Sequence, residues 1–113
     1  MDKNYYITTP IYYPSAKPHM GHAYSSIIAD FFARFKTIDG YNVYFLTGTD
    51  EHGLKIQRSA EKKGLDPLKF CDEISQTFKD LSTILNLSNT DFIRTTEKRH
   101  KESVQHLWKE LEK

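Results

Sequence analysis

The chain is 113 residues long, with 16 lysines and arginines against 15 aspartates and glutamates and a formal charge of +1. That length gives one domain or part of one, and the near-neutral balance excludes a dedicated nucleic-acid-binding module, whose electrostatic footprint is strongly basic. A single cysteine, Cys71, excludes an intrachain disulfide and a four-thiolate zinc cage, and fits a reducing compartment.

Met1 to Asn4 is polar and leads directly into a β-like run, and no stretch of about 18 apolar residues follows, so neither an export signal nor a membrane span is expected. Tyr5 to Tyr13 (YYITTPIYY) is rich in β-branched and aromatic residues and predicts a first strand, whose ladder Pro10 limits. Pro14 to Pro18 (PSAKP) predicts a loop that takes the chain out of the sheet. From Met20 onward, Tyr24, Ile27, Ile28, Phe31, Phe32 and Phe35 recur at helical spacing and predict a helix with one apolar face, stopped at Gly40. Asn42 to Thr47 (NVYFLT) predicts a second strand, nearly continuous in apolar character as for a strand covered on both faces of a parallel sheet. Strand, helix and strand then make a βαβ unit.

Gly48 to Gly53 turns the chain at the carboxyl end of that strand, and Leu54 to Lys63 predicts a short helix ended by Gly64. Asp66 and Pro67 supply an N-cap and a first-turn proline for a helix whose stripe is Phe70, Ile74, Phe78, Leu81 and Leu85. Asp91 to Thr95 predicts a third short strand. Thr96 and Glu97 then open a last helix with Val104, Leu107, Trp108 and Leu111 on one face, and the run Glu97 to Lys101 (EKRHK) reads as its solvated side. No glycine, asparagine or proline closes that helix, so the chain is expected to be cut rather than finished.

The segment His19-Met20-Gly21-His22 is the richest in chemistry. Two imidazoles three residues apart share one side of a helical turn, where backbone N–H groups lack partners and the helix dipole is positive. Gly21 removes a side chain between them, which lets a flat ligand such as a purine approach the backbone. The combination suits a nucleoside triphosphate, with both histidines donating hydrogen bonds as charge grows on the phosphates. Two other readings stay open: ordinary helix-start residues, or a metal pair completed by His52 and Asp50, for which no His-x-Glu or Cys-x-x-Cys pattern speaks. The motif follows a strand and opens a helix, the place where doubly wound sheets bind nucleotides.

Asp50 ends the second strand beside the same crevice; its carboxylate either holds a substrate ammonium or caps the next helix. Ile11, Tyr12 and Tyr13 end the first strand, so one alternating subset walls an apolar pocket or else packs at the rim. His52 reads as a surface turn residue, with a ligand contact as the alternative, and Cys71 as helix packing.

Three blocks, Thr9-Pro10-Ile11-Tyr12-Tyr13-Pro14, His19-Met20-Gly21-His22 and Phe45 to Ile56 (FLTGTDEHGLKI), together resemble the amino-terminal part of the methionyl branch of the class I aminoacyl-tRNA synthetases. The resemblance runs from about Tyr5 to the end. It implies an α/β fold, a partial Rossmann-like class I catalytic domain with parallel strands and flanking helices, of which residues 1–113 would be the amino-terminal half, truncated.

The implied activity is ATP-dependent activation of methionine to methionyl-adenylate, with Mg2+ accompanying ATP, followed by transfer to tRNA(Met) in the cytoplasm. By position, His19 and His22 would be catalytic and bind the ATP phosphates, and Gly21 would let the adenine lie against the backbone. Ile11 and Tyr13 would line the methionine site, with Tyr13 also at ATP, and Asp50 would hold the methionine ammonium. No zinc ligands are expected in this chain. The second class I signature, a Lys-Met-Ser-Lys-Ser type loop, is not in these residues, so tRNA contacts are expected mainly outside them and the piece is expected to be inactive alone. Two alternatives remain at this stage: a small nucleotidyltransferase using the same His-x-Gly-His element, and a non-catalytic nucleotide-binding module.

Overall fold

The computed structural model describes residues 3–113, in which three strands and four helices alternate along the chain. In order they are β1 (Asn4–Thr8), α1 (Met20–Ile38), β2 (Asn42–Thr49), α2 (Leu54–Lys62), α3 (Pro67–Ile84), β3 (Asp91–Arg94) and α4 (Lys98–Leu111). The strands form one parallel sheet in the order β1-β2-β3, with Tyr6 opposite Tyr44 and Thr47 opposite Phe92.

Local chemistry accounts for most boundaries. The Asp66 carboxylate accepts from the amides of Leu68 and Lys69 at 3.1 and 3.3 Å, and Pro67 occupies the first turn of α3, where its missing N–H is harmless. Regular β1 ends at Thr8, shorter than the predicted Tyr5 to Tyr13, because Pro10 has no amide to donate to a ladder. The chain then returns to the sheet at Tyr12, which forms an isolated parallel bridge with Thr49. On the other side, β2 runs two residues beyond the predicted Thr47, since Gly48 and Thr49 still pair with Ile93 and Arg94.

Both helical crossovers pack on the same face of the sheet. Ile7, Val43 and Phe45 meet Ala29 and Ala33 of α1 there. Phe92, opposite Thr47 and so on the same face as Phe45, joins Tyr12, Ile56, Phe70, Ile74 and Phe78 in a second cluster beneath α2 and α3. A sheet that grows in one direction, β1 to β2 to β3, with right-handed crossovers puts both helical layers on one side. The opposite face is therefore open over much of its area: Tyr6 is 62% exposed and Tyr44 43%. The expectation of a strand covered on both faces does not hold for β2 in this chain.

The apolar stripe of α1 is not the face that meets the sheet. The buried residues of this helix are Ser26, Ala29 and Ala33, while the apolar stripe from Tyr24 to Phe35 points away from the sheet, with Phe31 64% exposed. Small side chains let the helix backbone approach the sheet closely, and the large ones are left on the outer face. The stripe of α4 behaves similarly: Val104, Leu107, Trp108 and Leu111 are all exposed. By contrast, Phe70, Ile74 and Phe78 of α3 are buried as their spacing predicts. No helix among the described residues is long and apolar enough to cross a membrane.

Candidate active site

The carboxyl ends of β1 and β2 and the amino-terminus of α1 converge on a cleft of about 310 Å³ lined by Tyr13, Ser15, Ala16, Lys17, His19, His22 and Lys55. Tyr12 is the keystone behind it. Its amide donates to Gly48 O at 2.9 Å and its carbonyl accepts from the Asp50 amide at 2.8 Å, locking the first motif block to the third. Its hydroxyl lies 2.7 Å from Ser26 Oγ and donates to the His22 carbonyl at 3.3 Å. Its buried ring stacks on Phe78 with centroids 5.5 Å apart and meets His22 edge-on at 4.9 Å. Tyr13, the next residue, packs against the edge of that cluster and lines the cleft.

His19 is the N-cap of α1, and the two histidines cap each other. His19 Nδ1 accepts from the Gly21 amide at 3.0 Å, and His22 Nδ1 accepts from the His19 amide at 3.0 Å. Histidine rarely serves as an N-cap, and here it replaces the usual hydroxyl or carboxylate of a capping box. With each Nδ1 occupied as an acceptor, the neutral rings carry their proton on Nε2, so each offers an N–H donor away from the backbone. The rings stack with centroids 3.9 Å apart. Burial first, and then the neighbouring His19 charge, lower the His22 pKa below its ordinary value of 6.5, favouring the neutral donor form.

The His19 ring itself requires a glycine at position 21: a Cβ there would sit 2.8 Å from His19 Cε1 and 3.1 Å from Nδ1. The glycine makes room for the capping imidazole. Gly53, at φ +115°, is needed for a similar reason, since a Cβ would lie 2.6 Å from the Tyr13 hydroxyl.

Electrostatically the cleft is one-sided. Lys17 and Lys55 line it without a carboxylate partner among the described residues, and no acidic residue contributes to its walls. The sequence reading did not single out either lysine; the signal was their place, one residue before Pro18 and two after Gly53, beside the two motifs. Of the six candidate residues, Tyr13, His19 and His22 line the cleft and Gly21 lies beneath His19. Ile11 and Asp50 do not line it: Ile11 is half-exposed and Asp50 sits at the exit of β2. The helix that follows Asp50 is capped by Gly53 without a side-chain hydrogen bond, so the Asp50 carboxylate is not a cap, and it makes no hydrogen bond or ion pair among the described residues. His52 turns toward Thr95, its Nε2 3.3 Å from that carbonyl, rather than toward the two histidines. No cluster of three or more potential metal-ligating side chains occurs among the described residues.

The residue after Asp50 was missed altogether. The Glu51 side chain is fully buried, yet each carboxylate oxygen has two donors: Thr49 Oγ1 at 2.6 Å and Arg94 Nε at 2.7 Å on one, Arg94 Nη2 and Thr96 Oγ1, both at 2.8 Å, on the other. Arg94 Nη2 also reaches Asp72 Oδ1 at 2.6 Å. Cys71 packs beside this group and donates to the Glu51 carbonyl at 3.8 Å; burial and the Glu51 charge push its thiol up to about 11, consistent with a packing role.

The family described as "tRNA synthetases class I (M)" matches residues 5–113. The chain belongs to the class I tRNA synthetases. Among individual relatives of this synthetase chain, the mitochondrial methionine–tRNA ligase of Takifugu rubripes is 57% identical over 110 residues, covering 97% of the chain and 19% of that protein. The methionine–tRNA ligase of Rickettsia bellii is 54% identical over 111 residues, covering 98% of the chain and 22% of that protein.

Among solved structures, Mycobacterium tuberculosis methionyl-tRNA synthetase in complex with methionyl-adenylate superposes with a TM-score of 0.92 at 48% identity, over 95% of this chain and 21% of that one. A LeuRS from Agrobacterium radiobacter K84, solved with tRNA and LeuAMS, gives 0.82 at 26% identity over 97% of this chain and 14% of that one. The α/β fold with its parallel sheet is thus that of class I synthetase catalytic domains, and the chain spans about a fifth of the length of the curated relatives it matches.

Proposed function

We propose that this chain is the amino-terminal, nucleotide-binding part of the catalytic domain of a methionine–tRNA ligase. The enzyme would join methionine to ATP as methionyl-adenylate, releasing pyrophosphate, and then transfer methionine to tRNA(Met). The observation that carries this reading is the acid-free cleft at the start of α1, where two Nε2–H donors and two lysines without a carboxylate partner among the described residues converge in a chain of this family.

In the adenylation step the methionine carboxylate attacks the α-phosphorus and pyrophosphate leaves. This chemistry needs positioning and charge stabilisation rather than a covalent enzyme intermediate. His19 and His22 would donate their Nε2–H groups to the phosphate oxygens as negative charge grows, and Lys17 and Lys55 would neutralise the polyphosphate tail. The adenine would approach the α1 backbone at Gly21. Ile11 and Tyr13 would border the methionine side chain, and the free Asp50 carboxylate would take its ammonium. Magnesium would travel with the phosphates of ATP, since the cleft walls offer it no carboxylate. Contacts to tRNA would lie mainly outside these residues, and the setting would be the cytoplasm.

The test is methionine-dependent ATP–pyrophosphate exchange by the full-length enzyme carrying this segment. His22→Asn is expected to lower kcat by about a hundredfold to a thousandfold with a much smaller change in the methionine KM. An unchanged exchange rate in a folded variant would remove the histidines from the chemistry.

A further inference from the structure

Asp50 and Glu51 are adjacent carboxylates with opposite fates. Glu51 is buried, with all its acceptor positions filled by Thr49, Arg94 and Thr96, and its charge is cancelled by the two-pronged guanidinium of Arg94. Asp50 keeps a carboxylate with no partner among the described residues, and its α-helix-capping alternative is closed by Gly53. The backbone around Asp50 is held from both sides. Its own amide donates to Tyr12 O at 2.8 Å, the next amide, of Glu51, donates to Thr95 Oγ1 at 2.8 Å, and the Glu51 carbonyl accepts from Cys71.

From this arrangement we infer that the Glu51–Arg94 pair is a positioning device that aims the Asp50 carboxylate at the α-ammonium of the amino-acid substrate. The inference rests on the reading above in which Asp50 takes that ammonium. Its physical content is twofold. Glu51 ties the exit of β2 to Arg94 at the end of β3, to Asp72 of α3 through Arg94, and to the segment before α4 through Thr96, so Asp50 sits on a peptide held by β3, α3 and that segment. The guanidinium also engages the buried Glu51 carboxylate through two hydrogen bonds, so Glu51 is held away from the substrate ammonium while the Asp50 carboxylate stays free to meet it. A misplacement of about 1 Å in such a contact is enough to cost up to roughly a hundredfold in binding or rate.

A merely structural role would weaken every ligand or none, whereas a positioning role is specific to the ammonium. The full-length enzyme is therefore titrated calorimetrically with methionine and with its des-amino analogue, which lacks the ammonium, and thermal unfolding is followed on the same samples. Asp50→Ala sets the reference: a large loss for methionine, with the analogue unchanged. Glu51→Gln is expected to weaken methionine by roughly tenfold and leave the analogue within about twofold. Arg94→Lys keeps the charge but loses the fork, and is expected to act in the same direction if Glu51→Gln proves too unstable to purify.

A selective Asp50→Ala effect alongside equal losses for both ligands, or none, in Glu51→Gln and Arg94→Lys would overturn the positioning role. An Asp50→Ala variant that binds both ligands normally would instead overturn the ammonium assignment, and the inference with it.

Discussion

Replacing Gly21 by alanine separates its contact with His19 from its proposed role of admitting the adenine. The new Cβ would stand 2.8 Å from His19 Cε1 and 3.1 Å from Nδ1, whereas carbon atoms in comfortable contact are about 3.5 to 4.0 Å apart. The imidazole must therefore retreat by about half an ångström or more. Its anchor is the 3.0 Å hydrogen bond from the Gly21 amide, supported by the stack on His22 at 3.9 Å. A shift of that size carries the cap out of good geometry.

The loss of an N-cap hydrogen bond costs about 1 kcal/mol, and alanine's advantage over glycine in a helix returns up to about 1 kcal/mol, so net stability changes little. Catalysis should change far more if the proposed role holds, because a displaced Nε2–H would no longer meet the phosphates it is proposed to contact. The expected result for Gly21→Ala is a tenfold to hundredfold fall, roughly, in kcat for ATP–pyrophosphate exchange by the full-length enzyme, with the melting temperature nearly unchanged. A normal kcat with a raised KM for ATP would refute this reasoning and return the glycine to the simpler role of admitting the adenine. A normal kcat and KM would refute both.

Protonating His22 works against the fold, because burial and the His19 charge lower its pKa from 6.5. Between the folded pKa and about 6.5 the unfolded chain binds more protons, so stability rises with pH in that window, is complete above it, and is lost as pH falls through the folded value. The melting temperature should accordingly drop on acidification below neutrality, and His22→Asn should flatten the drop; an identical slope in the variant would remove His22 as its source. The outward stripe of α1, in turn, should make the isolated 113-residue chain self-associate. Phe31→Glu with Phe35→Glu should reduce the sedimentation coefficient toward that of a monomer while leaving circular dichroism unchanged, and a monomeric wild-type chain at about 100 μM would count against the patch as a sticking surface.

Residues whose determinants are local could be assigned before any tertiary information. Asp66 caps α3, Pro67 starts it, and Phe70, Ile74 and Phe78 are buried as their spacing requires. The His-x-Gly-His element stands at the start of α1, where it was expected. Periodicity was less informative in α1: it separated the two faces correctly but did not say which one meets the sheet. A helix that lies close over a sheet needs small residues beneath it, and Ser26, Ala29 and Ala33 provide them. Hydropathy alone ranks Phe31 above Ala29 for burial and carries no information on how close the two layers approach.

Taken alone, the sequence determined the order of elements, the βαβ framework, and the clustering of His19, Gly21, His22 and Tyr13 at strand and helix ends, because spacing, turn residues and caps act within a few positions. Only the tertiary structure decided which atoms of the two imidazoles are free, since that depends on the backbone amides they cap. It likewise decided that Lys17 and Lys55 share the cleft, and that Glu51 meets Arg94 from 43 residues away. The opening balance of 16 against 15 charges conceals that arrangement. A near-neutral chain carries a cleft with two lysines that have no carboxylate partner among the described residues, because the carboxylate of Glu51 is paired elsewhere and that of Asp50 lies outside its walls. Where charges sit is a property of the fold, and their sum is not.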